Sequence, residues 1–191
     1  MLDYCIMNIR DVDEETIRYY TSIMSSERQK AIQQYPSETD RIRSVIGEMA
    51  TRKLLSKHTC MPEKDILLRV GKNGKPLAKN INLEFNVSHS ENYILCAVSE
   101  SPLGADIETL REYDYLPVLR FFSPRERAYI LEPASDESKK LARFFEVWTF
   151  KEAYVKKHAK TIASINESDF FDSKIQKYIL KQQNYIATIV I

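Results

Sequence analysis

Two acidic side chains in the second half of the chain have the type and spacing that cation binding requires. Asp106 and Glu108 are two residues apart, in a segment whose pattern predicts a short strand beginning at Gly104. Side chains two apart on a strand point to the same face, about 6–7 Å from one another. Like charges at that distance repel unless water or a cation screens them. The pair therefore indicates either an exposed strand end or part of a metal site.

A third carboxylate lies on a predicted helix. Trp148, Glu152 and Lys156 are four residues apart, which places them along one helix face. A glutamate one turn before a lysine is also an ordinary helical ion pair worth about 0.2–0.5 kcal/mol, and taken alone the spacing favours that reading. Together with Asp106 and Glu108, however, Glu152 completes a set of hard oxygen ligands suited to Mg²⁺ bound to phosphate oxygens. Mn²⁺ accepts the same ligands.

Two other segments carry groups that could bind phosphate. Ser88 and His89 follow an apolar strand pattern and could donate to an anion, although a structural histidine beside hydroxyl groups is the commoner outcome. Residues 71–76 form a predicted turn with two glycines and with Lys72 and Lys75. The turn lacks the spacing of a phosphate-binding Walker loop, so a solvated turn is its default interpretation.

Composition excludes several classes of protein. The 191 residues include 28 Lys and Arg against 27 Asp and Glu, a net charge of +1, so no overall field points to nucleic acid or an anionic membrane as partner. The apolar stretches are far shorter than the roughly 20 residues of a membrane helix. The length suits one large or two small domains that need no metal or disulfide for stability.

The first ten residues lack a basic segment followed by a long apolar run, so we expect no signal peptide. Three widely spaced cysteines, Cys5, Cys60 and Cys96, each lie among apolar neighbours. An odd number in such surroundings predicts buried free thiols. Reduced thiols favour a cytoplasmic location.

Hydrophobic periodicity predicts an α+β protein with two lobes of similar size, residues 1–101 and 102–191, divided at Ser101-Pro102. Ser123, Pro124 and Glu126 have the spacing of a capping box and predict a helix start. The other predicted helices cover residues 13–35 with a restart at Ser25, 38–57 and 137–159. The predicted strands cover residues 2–9, 66–70, 84–90, 93–99, 104–108, 174–180 and 185–191.

Five motifs in one order carry a family resemblance that covers about Ser25 to Ile162. They are Gly-Lys-Pro (74–76), Asn-Val-Ser-His-Ser (86–90), Gly-Ala-Asp-Ile-Glu (104–108), Arg-Phe-Phe-Ser-Pro-Arg-Glu (120–126) and Trp-Thr-Phe-Lys-Glu-Ala (148–153). Each motif is short, but their order and spacing are specific. The chain resembles the 4′-phosphopantetheinyl transferases of the surfactin-synthetase-activating type.

This resemblance implies a monomer of two α+β lobes related by a pseudo-twofold axis, with coenzyme A and Mg²⁺ bound between them. It implies transfer of the phosphopantetheine arm of coenzyme A to a serine hydroxyl of an apo acyl or peptidyl carrier protein, with release of adenosine 3′,5′-bisphosphate. The sequence leaves open whether the carrier serves fatty-acid, polyketide or nonribosomal-peptide synthesis. The transfer itself depends on positioning and charge neutralisation.

The resemblance also implies roles for single residues. Asp106, Glu108 and Glu152 would be the metal ligands, and Lys156 would contact the diphosphate. For a transfer of this kind, we expect Glu152 to act as the base for the carrier serine, either directly or through a metal-bound water; the sequence leaves the identity of the base open. The residues expected to contact coenzyme A are Arg28, Arg43, Lys75, Pro76, Ser88, His89 and Lys156.

The chain departs from the family pattern after Lys156, where Ala159 to Ile162 replace a Gly-x-Gly-Leu run, and we expect a reshaped loop. This departure keeps open an alternative function, a catalytically weak module that binds coenzyme A or a carrier protein. Since carriers are acidic, recognition would need a local patch, for which Phe121, Phe122 and Arg125 are candidates unless the rings pack in the core.

Overall fold

The computed structural model describes residues 1–71 and 76–191, which form two compact units, Met1–Ser101 and Pro102–Ile191. The helices are α1 (Glu14–Ser22), α2 (Ser26–Gln33), α3 (Glu38–Thr59), α4 (Pro124–Ile130) and α5 (Glu137–Lys157). The strands are β1 (Leu2–Asn8), β2 (Leu68–Val70), β3 (Pro76–Ala78), β4 (Glu84–Ser90), β5 (Tyr93–Ser99), β6 (Gly104–Thr109), β7 (Lys177–Lys181) and β8 (Tyr185–Val190). None of the described helices is long and apolar enough to cross a membrane.

The first unit is built on an antiparallel sheet with strand order β1-β5-β4. The central strand β5 is almost wholly buried, and helix α3 packs against it. Ser37 caps the start of helix α3, and its hydroxyl accepts a hydrogen bond from the Asp40 amide at 3.3 Å. Its buried stripe, which includes Ile46, Met49 and Leu55, fills the space above the sheet.

The second unit has the same topology. Its antiparallel sheet has strand order β6-β8-β7, and helix α5 packs on β6 and β8. In each sheet the unit's first strand pairs with its last strand, which lies in the centre. In each unit a helical threonine also contacts that central strand: the Thr51 hydroxyl lies 3.5 Å from Cys96 Sγ, and the Thr149 hydroxyl lies 2.8 Å from that of Thr188. The predicted class, α+β with two lobes, is confirmed.

Helix α4 begins as the sequence predicts. The Ser123 hydroxyl accepts a hydrogen bond from the Glu126 amide at 3.2 Å, and the Glu126 carboxylate accepts one from the Ser123 amide at 2.7 Å. Pro124 occupies the first turn, where its missing N–H costs nothing. The capping box therefore fixes the bend that precedes this helix.

The cysteine prediction is correct for Cys96 and wrong for Cys60. Cys96 is fully buried, and burial raises the pKa of its thiol to about 12. Cys60 is exposed because it ends α3 in the left-handed conformation, with φ of 57° and its amide bonded to the Ser56 carbonyl at 2.8 Å. A residue in that position turns the chain out of the helix, and its side chain follows. Cys5 is half-buried.

Helix α5 ends in a tight turn although the family's glycines are absent after Lys156. Ala159 has φ of 50°, its amide bonds the Lys156 carbonyl at 3.2 Å, and the Lys160 amide bonds the Val155 carbonyl at 3.0 Å. These two bonds form a Schellman motif, in which the left-handed position normally holds glycine. The turn is therefore present, and a β-carbon in this conformation costs about 1–2 kcal/mol.

Replacing Ala159 with Gly should raise the free energy of unfolding by about 1 kcal/mol, because glycine adopts this conformation without the steric penalty. For a chain of this length the unfolding temperature should rise by about 2–4 °C. The matched control, Ala142→Gly in the interior of α5, should lower stability by about 1 kcal/mol or more. Calorimetry measures the stability change of both variants. A lower stability of Ala159→Gly would contradict backbone strain at this position.

Candidate active site

The second unit brings β6 unusually close to α5 at Gly104. A β-carbon built on Gly104 would lie 1.9 Å from the Ala153 carbonyl oxygen and 2.4 Å from the Lys157 amide nitrogen. Both neighbours are helix backbone, which cannot move aside as a side chain can. The absence of a side chain at this position therefore sets the distance between the strand and the helix.

This close packing places the acidic side chains of β6 beside polar side chains of α5. Asp106 is buried, and its Oδ1 accepts a hydrogen bond from Lys156 Nζ at 2.6 Å. Glu108 is half-buried, and its Oε2 lies 3.6 Å from Nη1 of Arg111. The predicted strand thus holds its two carboxylates on the face where α5 supplies an ammonium group.

Glu152 belongs to the same electrostatic cluster. Burial raises the pKa of its carboxyl, the Asp106 and Glu108 carboxylates raise it further, and Lys156 opposes them by lowering it. The four side chains come from segments more than 40 residues apart, and the fold brings them together. We call Asp106, Glu108, Glu152 and Lys156 the acidic cluster.

The acidic cluster fits a divalent cation by the chemistry of its donors. Its carboxylates are hard oxygen ligands. Burial is the main cause of the raised pKa of Glu152, and the negative charges of Asp106 and Glu108 add to it. As the side chains stand, no three His, Cys, Asp or Glu residues within 1–71 and 76–191 form a group that could hold a metal ion. The metal role of Asp106, Glu108 and Glu152 therefore stays a prediction.

A second buried interaction joins two of the sequence motifs. Lys151 and Glu126 are almost fully buried, with Lys151 Nζ 3.0 Å from Glu126 Oε1. Lys151 also donates to the Ser168 carbonyl at 2.7 Å, and Glu126 accepts from the Phe170 amide at 2.8 Å. The pair ties α4 and the segment after α5 to the residue next to Glu152. Burial lowers the pKa of Lys151, while Glu126 acts in the opposite direction.

The first unit carries the remaining predicted residues. Ser88 is buried and His89 exposed on β4, just before the tight turn to β5. In that turn Glu91 has φ of 49°, and its carbonyl accepts from Arg43 Nε at 2.6 Å. Since Arg43 Nη1 also donates to Asp40 at 2.8 Å, this arginine ties the start of α3 to the hairpin.

Arg28, on α2, is held by two residues of α3. Its Nε donates to Glu48 Oε2 at 3.0 Å and its Nη2 to the Ser44 hydroxyl at 2.6 Å. Pro76 is the exposed first residue of β3. Lys75, with most of the predicted 71–76 turn, lies outside the described residues.

Sequence reasoning therefore identified the residues of the acidic cluster and missed the side chains that support the site. Glu48 and Lys151 are buried charges whose partners Arg28 and Glu126 lie 20 and 25 residues away in the sequence. Only the position of these charges among apolar neighbours could have indicated that they are buried. Arg111, three residues after Glu108, was visible as a local ion-pair spacing and was not identified.

Comparison with known proteins covers nearly the whole chain. Residues 12–101 match the family described as 4′-phosphopantetheinyl transferase, N-terminal. Residues 102–188 match the 4′-phosphopantetheinyl transferase superfamily.

Similar curated proteins carry the same description. The chain is 32% identical to 4′-phosphopantetheinyl transferase gsp of Aneurinibacillus migulanus, over 91% of this chain and 72% of the relative. It is 27% identical to 4′-phosphopantetheinyl transferase Sfp of Bacillus subtilis, over 84% of this chain and 71% of the relative. It is 30% identical to 4′-phosphopantetheinyl transferase HetI of a Nostoc species, over 82% and 68%.

Proposed function

The chain belongs to the 4′-phosphopantetheinyl transferase superfamily, and we propose that it moves the phosphopantetheine arm of coenzyme A to a serine hydroxyl of an apo acyl or peptidyl carrier protein. The observation that carries this proposal is the acidic cluster, in which a strand and a helix held together at Gly104 bring three carboxylates and a lysine to one place. Such a cluster suits the transfer of a charged phosphoryl group.

In the proposed step, the carrier serine Oγ attacks the phosphorus of coenzyme A that bears the pantetheine arm. The bond from that phosphorus to the bridging oxygen breaks, and adenosine 3′,5′-bisphosphate leaves with the electron pair. Glu152 accepts the serine proton as the general base. Lys156 stabilises the charge on the departing phosphate.

Asp106, Glu108 and Glu152 would hold the Mg²⁺ ion, and Mn²⁺ would suit the same oxygens. When bound, the ion supplies charge neutralisation at the diphosphate. Asp106, whose Oδ1 accepts from Lys156, would help to hold the cation, and Lys156 would contact the substrate phosphate.

The first unit would supply the other contacts to coenzyme A. Ser88, His89 and Arg43 surround the β4–β5 turn, and Lys75 precedes Pro76 at the start of β3. Hydroxyl, imidazole and guanidinium groups are donors suited to phosphate oxygens.

Incubation of the protein with coenzyme A, Mg²⁺ and an apo carrier tests the proposal directly. Mass spectrometry of the carrier should show the added phosphopantetheine group. Binding of coenzyme A or carrier without any gain in carrier mass would contradict the transfer and support the binding-module alternative. A panel of carriers from fatty-acid, polyketide and nonribosomal-peptide synthesis would then identify the substrate class.

The surface before α4 is the proposed contact for the carrier. Phe121 is 44% exposed, and the Arg120 guanidinium lies 4.7 Å from its ring centre. Arg125 is also exposed. Phe122, in contrast, is buried and stacks on Trp148, so it packs in the core and is no part of this surface. The Arg125 guanidinium lies over the Phe171 ring, 4.4 Å from its centre, so Arg120 is the arginine that contacts Phe121. An exposed ring beside an arginine fits a partner that presents acidic and apolar groups.

Replacing Phe121 with Ala should raise the Michaelis constant for the carrier about tenfold, because truncation of a central aromatic contact commonly costs 1–2 kcal/mol. Affinity for coenzyme A should not change. Steady-state kinetics with carrier as the varied substrate measures the effect, and the exposed Leu131→Ala serves as control. An unchanged Michaelis constant for Phe121→Ala would remove this surface from carrier recognition.

A further inference from the structure

A buried carboxylate links two arginines inside the first unit. Glu48 is only 8% exposed because it lies on the face of α3 that packs into the core. Its Oε1 accepts from Arg52 Nε at 3.0 Å and from Arg52 Nη2 at 2.8 Å, and its Oε2 accepts from Arg28 Nε at 3.0 Å. A single carboxylate therefore receives three charge-assisted hydrogen bonds, which fix its orientation.

Arg52 is the fixed end of this chain of contacts. It is 3% exposed, and its Nη1 donates to the Glu63 carbonyl at 2.6 Å and to the Ile66 carbonyl at 2.9 Å. With its Nε and Nη2 on Glu48, every nitrogen of this guanidinium is engaged. Arg52 cannot turn toward solvent without leaving buried carbonyls and a buried carboxylate unpaired, which is costly.

Arg28 is the open end. Its Nε and Nη2 are held by Glu48 and Ser44, while its side chain is 30% exposed. Within residues 1–71 and 76–191 no carboxylate, hydroxyl or carbonyl accepts from Arg28 Nη1. Two arginines share one carboxylate, so a positive charge is left over at the exposed end. A guanidinium with one edge anchored and the other presented is pre-organised for an anion.

We infer that Glu48, itself held by Arg52, positions the Arg28 guanidinium so that its Nη1 edge receives a phosphate group of coenzyme A. The inference rests on the proposed function for the identity of the ligand. Glu48 and Arg52 are positioning residues, since neither touches the ligand. Their contribution is to hold Arg28 in its binding orientation before coenzyme A arrives.

Titration calorimetry of the full chain with coenzyme A tests the inference through a double-mutant cycle. Arg28→Gln should weaken binding about 10- to 100-fold, the range for a charge-assisted hydrogen bond. Glu48→Gln should weaken it about 10-fold, as loss of an orienting partner does. In the Arg28→Gln background, Glu48→Gln should have no further effect, because its role passes through Arg28. Dephospho-coenzyme A and 4′-phosphopantetheine as probes identify which phosphate is bound.

Glu27→Gln is the matched control, because it removes an exposed negative charge next to Arg28 without touching the guanidinium. It should leave affinity for coenzyme A unchanged. If Glu48→Gln does not fold, Glu48→Asp keeps the charge for Arg52 and withdraws the carboxylate from Arg28, and it should weaken binding in the same Arg28-dependent way. In steady state the folded variant should show a raised Michaelis constant for coenzyme A with an unchanged turnover number.

Unchanged affinity in the folded Glu48 variant, or an equal loss in the Arg28→Gln background, would overturn the inference. Either result leaves the proposed transfer standing if the wild-type protein modifies the carrier. Conversely, a wild-type protein that binds coenzyme A without transfer overturns the proposed function, and the binding cycle still decides the role of Glu48.

Discussion

Replacing Glu152 with Gln should lower transfer to the carrier by about 10²–10⁴-fold, the contribution of a positioned general base. Coenzyme A should still bind, because the substitution leaves the contacts proposed for Arg28, Arg43, Ser88 and His89 unchanged. Burial and the neighbouring carboxylates raise the pKa of Glu152, so its ionisation at neutral pH opposes folding. The neutral amide removes that repulsion. The unfolding temperature of the variant should therefore equal or exceed that of the wild type.

The combination of lost activity and retained or increased stability separates a catalytic role from a structural one. Mass spectrometry of the carrier measures transfer, and calorimetry measures coenzyme A binding and thermal unfolding. Glu137→Gln is the control, since Glu137 lies on the same helix with its side chain 79% exposed. The control should transfer at the wild-type rate. Near-normal turnover in Glu152→Gln would exclude Glu152 as the base.

Replacing Gly104 with Ala should have the second large effect. The new methyl group would collide with the Ala153 carbonyl oxygen and the Lys157 amide, both backbone atoms of α5. Strand β6 and α5 must then separate, which should cost about 1–3 kcal/mol of stability as overpacking does. Because a displacement of about 1 Å at reacting groups can cost about 10²-fold in rate, activity should fall further than stability.

Gly47→Ala is the matched control for this substitution. A β-carbon at Gly47 would meet only the side-chain atom Cγ1 of Val87, at 3.2 Å. Alanine also favours the middle of a helix over glycine by about 1 kcal/mol, so this variant should remain stable and active. Transfer rates and unfolding temperatures of both variants provide the comparison. A Gly104→Ala protein with wild-type activity would show that the spacing of β6 and α5 does not matter.

The secondary structure was predicted well where a short local motif determines it. The β4–β5 hairpin has its predicted bounds because alternation and the short Glu91-Asn92 connection fix the register. Helix α4 starts at its capping box. The short 3₁₀ helices at Leu116–Phe121 and Ile162–Glu167 were not predicted, since segments this short show no hydrophobic period.

The supporting side chains of the site could not be predicted from local patterns. Glu126 was interpreted as a capping residue, which it is, but its pairing with Lys151 joins positions 25 residues apart in sequence. The Glu48–Arg52 pair has an ordinary helical spacing, and nothing local distinguishes a buried ion pair from an exposed one. Burial depends on what packs over the helix, and the folded chain alone determines that.

The two units share a topology but differ in chemistry at equivalent places. Asp106 pairs with Thr188, the residue of the central strand that contacts the long helix of the second unit. In the first unit that pairing position holds Cys5, which stands opposite Cys96.

The next equivalent positions follow the same rule. Glu108 lies two residues after Asp106 on β6, and Glu152 lies three residues after Thr149 on α5. The corresponding positions of the first unit, two residues after Cys5 and three after Thr51, hold Met7 and Leu54, which pack in its core. The same fold thus places carboxylates at these positions in the second unit and sulfur or hydrocarbon in the first. We therefore expect one reaction centre per molecule, in the second unit. In the first unit, apolar side chains fill the space between strand and helix.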